Sequence, residues 1–122
     1  IEEMLKLLEA PHLSTSQGLR DRALMELLYA SGLRVSELVN LNLEQVNLDS
    51  DEIRVWGKGS KERMTLMGKP AARALEAYLS QGRLKLLGKK RSSALFLNRY
   101  GGRLAERRVQ RILENSGNRH NQ

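Results

Sequence analysis

The hydrophobic period of this chain changes twice, and that change restricts the fold more than any single residue does. Up to about Val46 the apolar residues recur at helical spacing. Ile1, Met4, Leu5 and Leu8 share one face of a helix over residues 1–10, which Pro11 ends. A polar loop from His12 to Gln17 follows. Leu19, Ala23, Leu24, Leu27 and Leu28 then form the buried stripe of a helix over residues 18–31, stopped by Gly32. A third, short helix from about Val35 to Leu41 turns Val35, Leu38 and Val39 inward, and a further turn near Asn42 and Glu44 does the same with Leu43 and Val46.

Past residues 47–51 the period becomes two. Ile53 and Val55 alternate with Arg54 and Trp56, and Met64 and Leu66 alternate with Arg63, Thr65 and Met67. Gly57-Lys58-Gly59-Ser60-Lys61 joins the two strands as a hairpin loop, with glycine for unusual dihedral angles. The helical period then returns. Pro70 suits the first turn of a helix reaching about Gln81, with Ala71, Ala74, Leu75, Leu79 and Tyr78 inward and Gly82 as its stop. Residues 83–93 are basic and partly helical. Ala94-Leu95-Phe96-Leu97 reads as a third strand, Tyr100-Gly101-Gly102 as a turn, and residues 104–115 as a last helix with Leu104, Val109, Ile112 and Leu113 inward. Residues 116–122 form a polar tail without a signal of order. The expected fold is α+β, mainly α: one domain over residues 1–115, with helices around a small antiparallel β-sheet.

Composition narrows the function. Only 4% of residues are aromatic, so the core is aliphatic. Cysteine is absent, which excludes disulfides and thiolate metal sites and is compatible with a cytoplasmic setting. No apolar run approaches the roughly 18 residues of a membrane span. Ile1-Glu2-Glu3 lacks the basic-then-apolar start of a signal peptide. A start at Ile rather than Met is what a piece of a longer protein shows. His12 and His120 are isolated from each other and from any carboxylate cluster, so no metal site is expected.

Charge is unevenly spread. Residues 1–50 hold 4 basic and 8 acidic side chains, whereas residues 51–122 hold 17 and 6, so the two parts carry −4 and +11. The sequence pI of about 10.1 lies above the usual nucleic-acid footprint of about 9. A polyanion-facing surface explains this asymmetry, as does a solvated basic face. RNA binding rests on charge alone.

Three segments could carry phosphate chemistry. Arg34 follows the helix-ending Gly32 and stands at the start of the next helix. Its guanidinium fork suits two phosphate oxygens, and free N–H groups at a helix start favour an anion and a pentavalent phosphoryl transition state. The plainer reading is an ion pair with Glu37, one turn on. Lys58, flanked by glycines, could enter a DNA groove and protonate a departing 5′ oxygen. The plainer reading is a solvated turn lysine. Lys61 and Arg63 on the same hairpin could hold adjacent phosphates. On the last helix Arg107 and Arg111 share a face with Arg108 beside them, and Gln110 reaches the same edge. Such a helix suits a major groove, and it suits open solvent too. Gly57-x-Gly59 lacks the third glycine of a dinucleotide site, and the full phosphate-binding loop pattern is missing.

Taken together, Ala30-Ser31-Gly32-Leu33-Arg34-Val35-Ser36-Glu37-Leu38, Leu41 and Gly57-Lys58-Gly59-Ser60-Lys61-Glu62-Arg63 closely resemble the catalytic domain of tyrosine recombinases. Xer-type recombinases and phage integrases are the nearest branch. Leu95-Phe96-Leu97-Asn98-Arg99-Tyr100-Gly101-Gly102-Arg103-Leu104 fits the family's segment before its major-groove helix, and the resemblance covers roughly residues 1–115. It implies that Arg34 clamps the scissile phosphate, Lys58 protonates the leaving 5′ hydroxyl and Glu37 supports the arginine. It adds Arg99 to Lys61, Arg63, Arg107, Arg108 and Arg111 as DNA contacts. It also implies a 3′-phosphotyrosyl link to double-stranded DNA, no metal or other cofactor, and a tetramer on DNA for the complete protein.

The family pattern continues with His-x-x-Arg, a Gly-His pair and the nucleophilic tyrosine, none of which occurs in this sequence. His120 falls too soon after the last helix to match. Tyr29, Tyr78 and Tyr100 all precede the nucleophile position. The expectation is the first half of a recombinase catalytic domain, monomeric and unable to cleave DNA alone. The alternative is a natural truncated module that binds DNA or regulates without catalysis.

Overall fold

A nearly all-round buried helix organises the molecule. In a computed structural model describing residues 14–56 and 61–121, α1 spans Ser16–Ser31. The expected first helix, His12, and Lys58 with its neighbours in the hairpin loop lie outside the described residues. Thr15 Oγ1 accepts the Gly18 N–H at 2.9 Å, which satisfies a donor left free at the helix start. Gly32 closes the helix at φ 68°, a left-handed conformation that suits a residue without a Cβ, and donates to the Leu28 carbonyl. Ala23, Leu24 and Leu27 are fully buried as the stripe predicts, and Leu19 and Leu28 are partly so. Arg20 is buried as well. It pairs with Asp21 at 2.8 Å and donates to the Leu97 carbonyl at 3.1 Å.

Next come α2 (Val35–Val39), a 3-10 turn (Leu43–Gln45) and the strands β1 (Val46–Asn47), β2 (Glu52–Trp56) and β3 (Glu62–Leu66). The sheet is antiparallel in the order β1-β2-β3. Ile53 and Val55 face the core. The register sets Thr65 opposite Ile53 and Arg63 opposite Val55, so those two share the inner face. Met64 and Leu66 therefore turn outward and are exposed along with Trp56. Leu43, expected inside, is also exposed, at the first position of the 3-10 turn.

α3 (Gly68–Ala77) runs without a break through a π-helical turn (Tyr78–Gly82) into α4 (Arg83–Leu87). Gly82 was expected to stop this helix and does not. A Cβ there would stand 3.1 Å from the Ser16 carbonyl oxygen and 3.3 Å from Leu19 Cβ, so the glycine serves close approach of α1. The stop is Gly88, at φ 59°. α1 packs against α3, the π turn and α4.

Ala94–Leu97 is extended and buried but is not a strand of the sheet. Its backbone partners are single contacts: Leu95 N–H donates to Leu41 O, and Phe96 O accepts from Leu104 N–H. Side chains supply the rest. Tyr78 donates its hydroxyl to Leu95 O at 2.8 Å and accepts from Leu97 N–H at 3.0 Å. Arg83, also buried, donates to the carbonyls of Ser92, Ala94 and Leu95.

The last helix, α5 (Glu106–Asn121), buries Val109 and Ile112 and continues through residues expected to be a tail. Once a helix exists, each added residue gains a hydrogen bond without a new nucleus, and Ser116 is buried on it. Among the described residues no helix is long and apolar enough to cross a membrane.

Tyr78→Phe keeps the stack on Phe96, whose ring centroid lies 5.4 Å away, but leaves the buried Leu97 N–H unpaired and the Leu95 carbonyl with Arg83 alone. A loss of about 1–3 kcal/mol in chemical denaturation is expected. Burial pushes the Tyr78 phenol up from 10.0 to about 12. The neutral form is thus favoured in the fold, so the stabilisation is complete below pH 10.0 and is lost as pH rises toward about 12. Alkaline unfolding of the unsubstituted chain, followed by circular dichroism, should show that loss, and Tyr78→Phe should lack it.

Candidate phosphate site and nucleic-acid interface

The turn between α1 and α2 places Arg34. Gly32 reverses the chain, Leu33 is buried and anchors it, and Arg34 takes an extended conformation (φ −76°, ψ 153°) as the residue before α2. The Arg34 N–H donates to Glu37 Oε1 at 3.0 Å. The carboxylate thus covers a helix-start donor and favours the positive end of the helix dipole.

Glu37 does not form the expected ion pair with the Arg34 side chain. Its carboxylate instead receives a fork from Arg63, Nη1 to Oε2 at 2.7 Å and Nη2 to Oε1 at 3.1 Å. The Arg63 hydrogen bonds, with the Arg34 N–H second, lower the Glu37 carboxyl from 4.5 to about 2. The Arg34 guanidinium is exposed and bonds none of the described residues. An arginine fork with no bond to any described residue thus stands at the helix start, close to a carboxylate whose charge Arg63 already matches.

Lys61, also predicted to contact DNA, is exposed just ahead of β3. Lys58 belongs to the connection between Trp56 and Lys61, outside the described residues.

The C-terminal end of α2 is tied by a residue that sequence reasoning missed. Arg103 Nη1 donates to the carbonyls of Val39 at 2.8 Å and Leu41 at 3.0 Å, and Nη2 bonds Asn42 Oδ1. These acceptors lie more than 60 residues away in sequence and are mostly backbone, so no local pattern announces them. The anchor sits where the chain enters α5, which itself packs on α2. On α5, Arg107, Arg108, Gln110 and Arg111 are exposed opposite buried Val109 and Ile112. The Arg99 guanidinium lies 4.8 Å from the centre of the Tyr100 ring. Arg99 and Arg108 line one open groove with Gln17, Asn98 and Tyr100.

Several cations of the basic half are therefore structural. Arg83 and Arg103 hold carbonyls, Arg54 holds the Glu44 carbonyl, and Arg63 holds Glu37. Arg34, Lys61, Arg107, Arg108 and Arg111 remain without a side-chain bond to any described residue. Among the described residues no group of three or more His, Asp or Glu side chains could hold a metal ion.

Because the folded-state value of Glu37 lies below the ordinary one, its stabilisation is complete above pH 4.5 and is lost as pH falls toward about 2. Glu37→Gln should flatten that part of the stability profile, measured by urea denaturation across the acid range.

Comparison with known proteins identifies the family and the fold. The phage integrase family profile matches residues 1–122. Tyrosine recombinase XerD of Staphylococcus aureus is 43% identical over 117 residues, which are 96% of this chain and 40% of XerD. XerD of Staphylococcus epidermidis is 41% identical over the same span. The chain thus covers about 40% of the length of these curated relatives. The crystal structure of XerA recombinase superposes with a TM-score of 0.80 at 27% identity, over 98% of this chain and 41% of XerA. XerH site-specific recombinase, solved bound to palindromic difH substrate in a post-cleavage complex, shares the fold at a TM-score of 0.72, over 95% of this chain and 34% of XerH. A tyrosine-recombinase catalytic-domain fold, an arginine at the start of α2 and 43% identity to XerD place this chain in the phage integrase family of tyrosine recombinases, on its Xer-like branch.

Proposed function

We propose that this chain is the DNA-engaging first part of the catalytic domain of a site-specific tyrosine recombinase. The observation that carries the reading is the state of Arg34: its guanidinium is exposed at a helix start and bonds no described residue, while Glu37, three residues on, is occupied by Arg63. A fixed cation of this kind clamps the scissile phosphate and stabilises the charge that builds on its oxygens during in-line attack. Attack by a tyrosine hydroxyl forms the bond to phosphorus and breaks the bond to the 5′ oxygen, which takes a proton. Lys58 is the donor of that proton. The tyrosine belongs to a segment beyond these residues, in keeping with the 40% share of the curated relatives that the chain covers.

Double-stranded DNA is the partner. Arg107, Arg108 and Arg111 on the exposed side of α5 face a groove, with Lys61 and Arg99 on flanking phosphates. The related XerH was solved on its difH substrate both before and after cleavage, which supports this choice of partner. The complete recombinase works as a tetramer on DNA in a cytoplasmic setting, without metal or other cofactor, and this chain by itself is a monomer.

Two outcomes are expected. DNA affinity of the chain, measured by fluorescence anisotropy, falls steeply with salt, and Arg111→Gln reduces the log–log slope by about one. Affinity that does not change with salt would remove the phosphate contacts. In the complete recombinase, Arg34→Ala abolishes the covalent protein–DNA adduct while circular dichroism and thermal unfolding stay as they were. Adduct formation at a near-normal rate would take Arg34 out of the active site and favour a DNA-binding module without catalysis.

A further inference from the structure

Arg63 lies on β3 opposite Val55, on the inner face of the sheet. Its sequence position suggests a phosphate contact, but its geometry points elsewhere. Both terminal nitrogens are engaged edge-on with both oxygens of Glu37, at 2.7 and 3.1 Å. A guanidinium held this way has committed its best-directed donor pair, the same edge that would grip a phosphate.

Glu37 in turn accepts the Arg34 N–H at 3.0 Å. A continuous path therefore runs from the β3 strand, through one carboxylate, to the backbone of the residue that starts α2. That path matters because α2 has only five residues and is too short to hold its own conformation. Arg103 ties its far end to the entry of α5. The Arg63–Glu37 fork is the one side-chain hydrogen-bonded link between β3 and α2 among the described residues. The other ion pair of β3, Arg54 with Glu62 at 3.9 Å, stays within the sheet.

We propose that Arg63 is a positioning residue rather than a phosphate ligand: its fork on Glu37 latches the β2–β3 hairpin to the first turn of α2 and sets where the Arg34 guanidinium stands relative to that hairpin. The inference rests on the reading of Arg34 as the phosphate clamp. Position matters in such a clamp because a displacement of about 1 Å at a reacting centre costs on the order of 100-fold in rate.

The test uses Arg63→Gln, which removes the charge, and Arg63→Lys, which keeps a cation without the fork, with Arg111→Gln as the control for a true phosphate contact. On this chain, Arg63→Gln leaves the salt slope of DNA binding unchanged, whereas loss of a phosphate contact lowers it by about one. The Glu37 carboxyl, followed by NMR, moves in Arg63→Gln from about 2 back toward 4.5, and Arg63→Lys falls between. In the complete recombinase at saturating DNA, adduct formation by Arg63→Gln drops roughly 10–100-fold with DNA affinity unchanged, and Arg63→Lys recovers part of the rate. A slope lowered by about one, with Glu37 titrating as in the unsubstituted chain, overturns the latch and returns Arg63 to the phosphates. Unchanged adduct formation in Arg63→Gln overturns it as well. If Arg111→Gln also fails to change the slope, the DNA interface assigned to α5 is what fails. The carboxyl titration and the adduct rate then still decide the latch.

Discussion

The buried stretch Ala94–Leu97 imposes the constraint around which the rest of the chain is arranged. An extended backbone in the interior needs partners for its N–H and C=O groups, and this one meets most of that need without joining the sheet. Its partners come from every side: Arg20 of α1, Tyr78 of the π turn, Arg83 of α4, Leu41 after α2 and Leu104 before α5. Each bond fixes one helix against the same segment. Buried polar networks are costly when incomplete, and this one leaves no buried side-chain nitrogen or oxygen unpaired among the described residues.

That arrangement has a direct effect on the candidate site. The backbone pairing of Leu41 with Leu95 holds the end of α2 against the core, and Arg103 caps the same end from the chain leading into α5. The start of α2 is held by the Arg63–Glu37 fork. A helix of five residues is thus clamped at both ends by arginines from two different parts of the fold. Arg34, β3 and α5 thereby come to share one frame. The same fork leaves the Arg34 side chain without a hydrogen bond to any described residue: both oxygens of the Glu37 carboxylate are already bound by Arg63.

Much of this was legible in the linear pattern. The stripe of α1, the left-handed Gly32, the inward Ile53 and Val55, and the two faces of α5 all appear where periodicity puts them. Local residues dictate these features, since side-chain spacing and glycine's freedom act within a few positions. The failures share one cause, which is non-local competition. Gly82 looks like a stop, but a helix carbonyl from α1 needs the space it leaves. Ala94–Leu97 looks like a strand, but its hydrogen bonds go to side chains far away in sequence. Met64 and Leu66 alternate correctly and still face outward, because the pairing register with β2 decides the face.

The same division holds for function. By itself the sequence determined the family, the mainly helical fold with its hairpin, and the arginine at a helix start, because each depends on residue types at short, fixed spacing. Tertiary structure alone decided which cations are free to meet an anion. Arg83 and Arg103 look as available as Arg107 and Arg111 in the linear chain, yet the first two are spent on carbonyls. Glu37 looks like the partner of Arg34 and proves to be the partner of Arg63, 26 residues away. A guanidinium has one charge and one fork, and only the folded backbone determines which acceptor reaches it first.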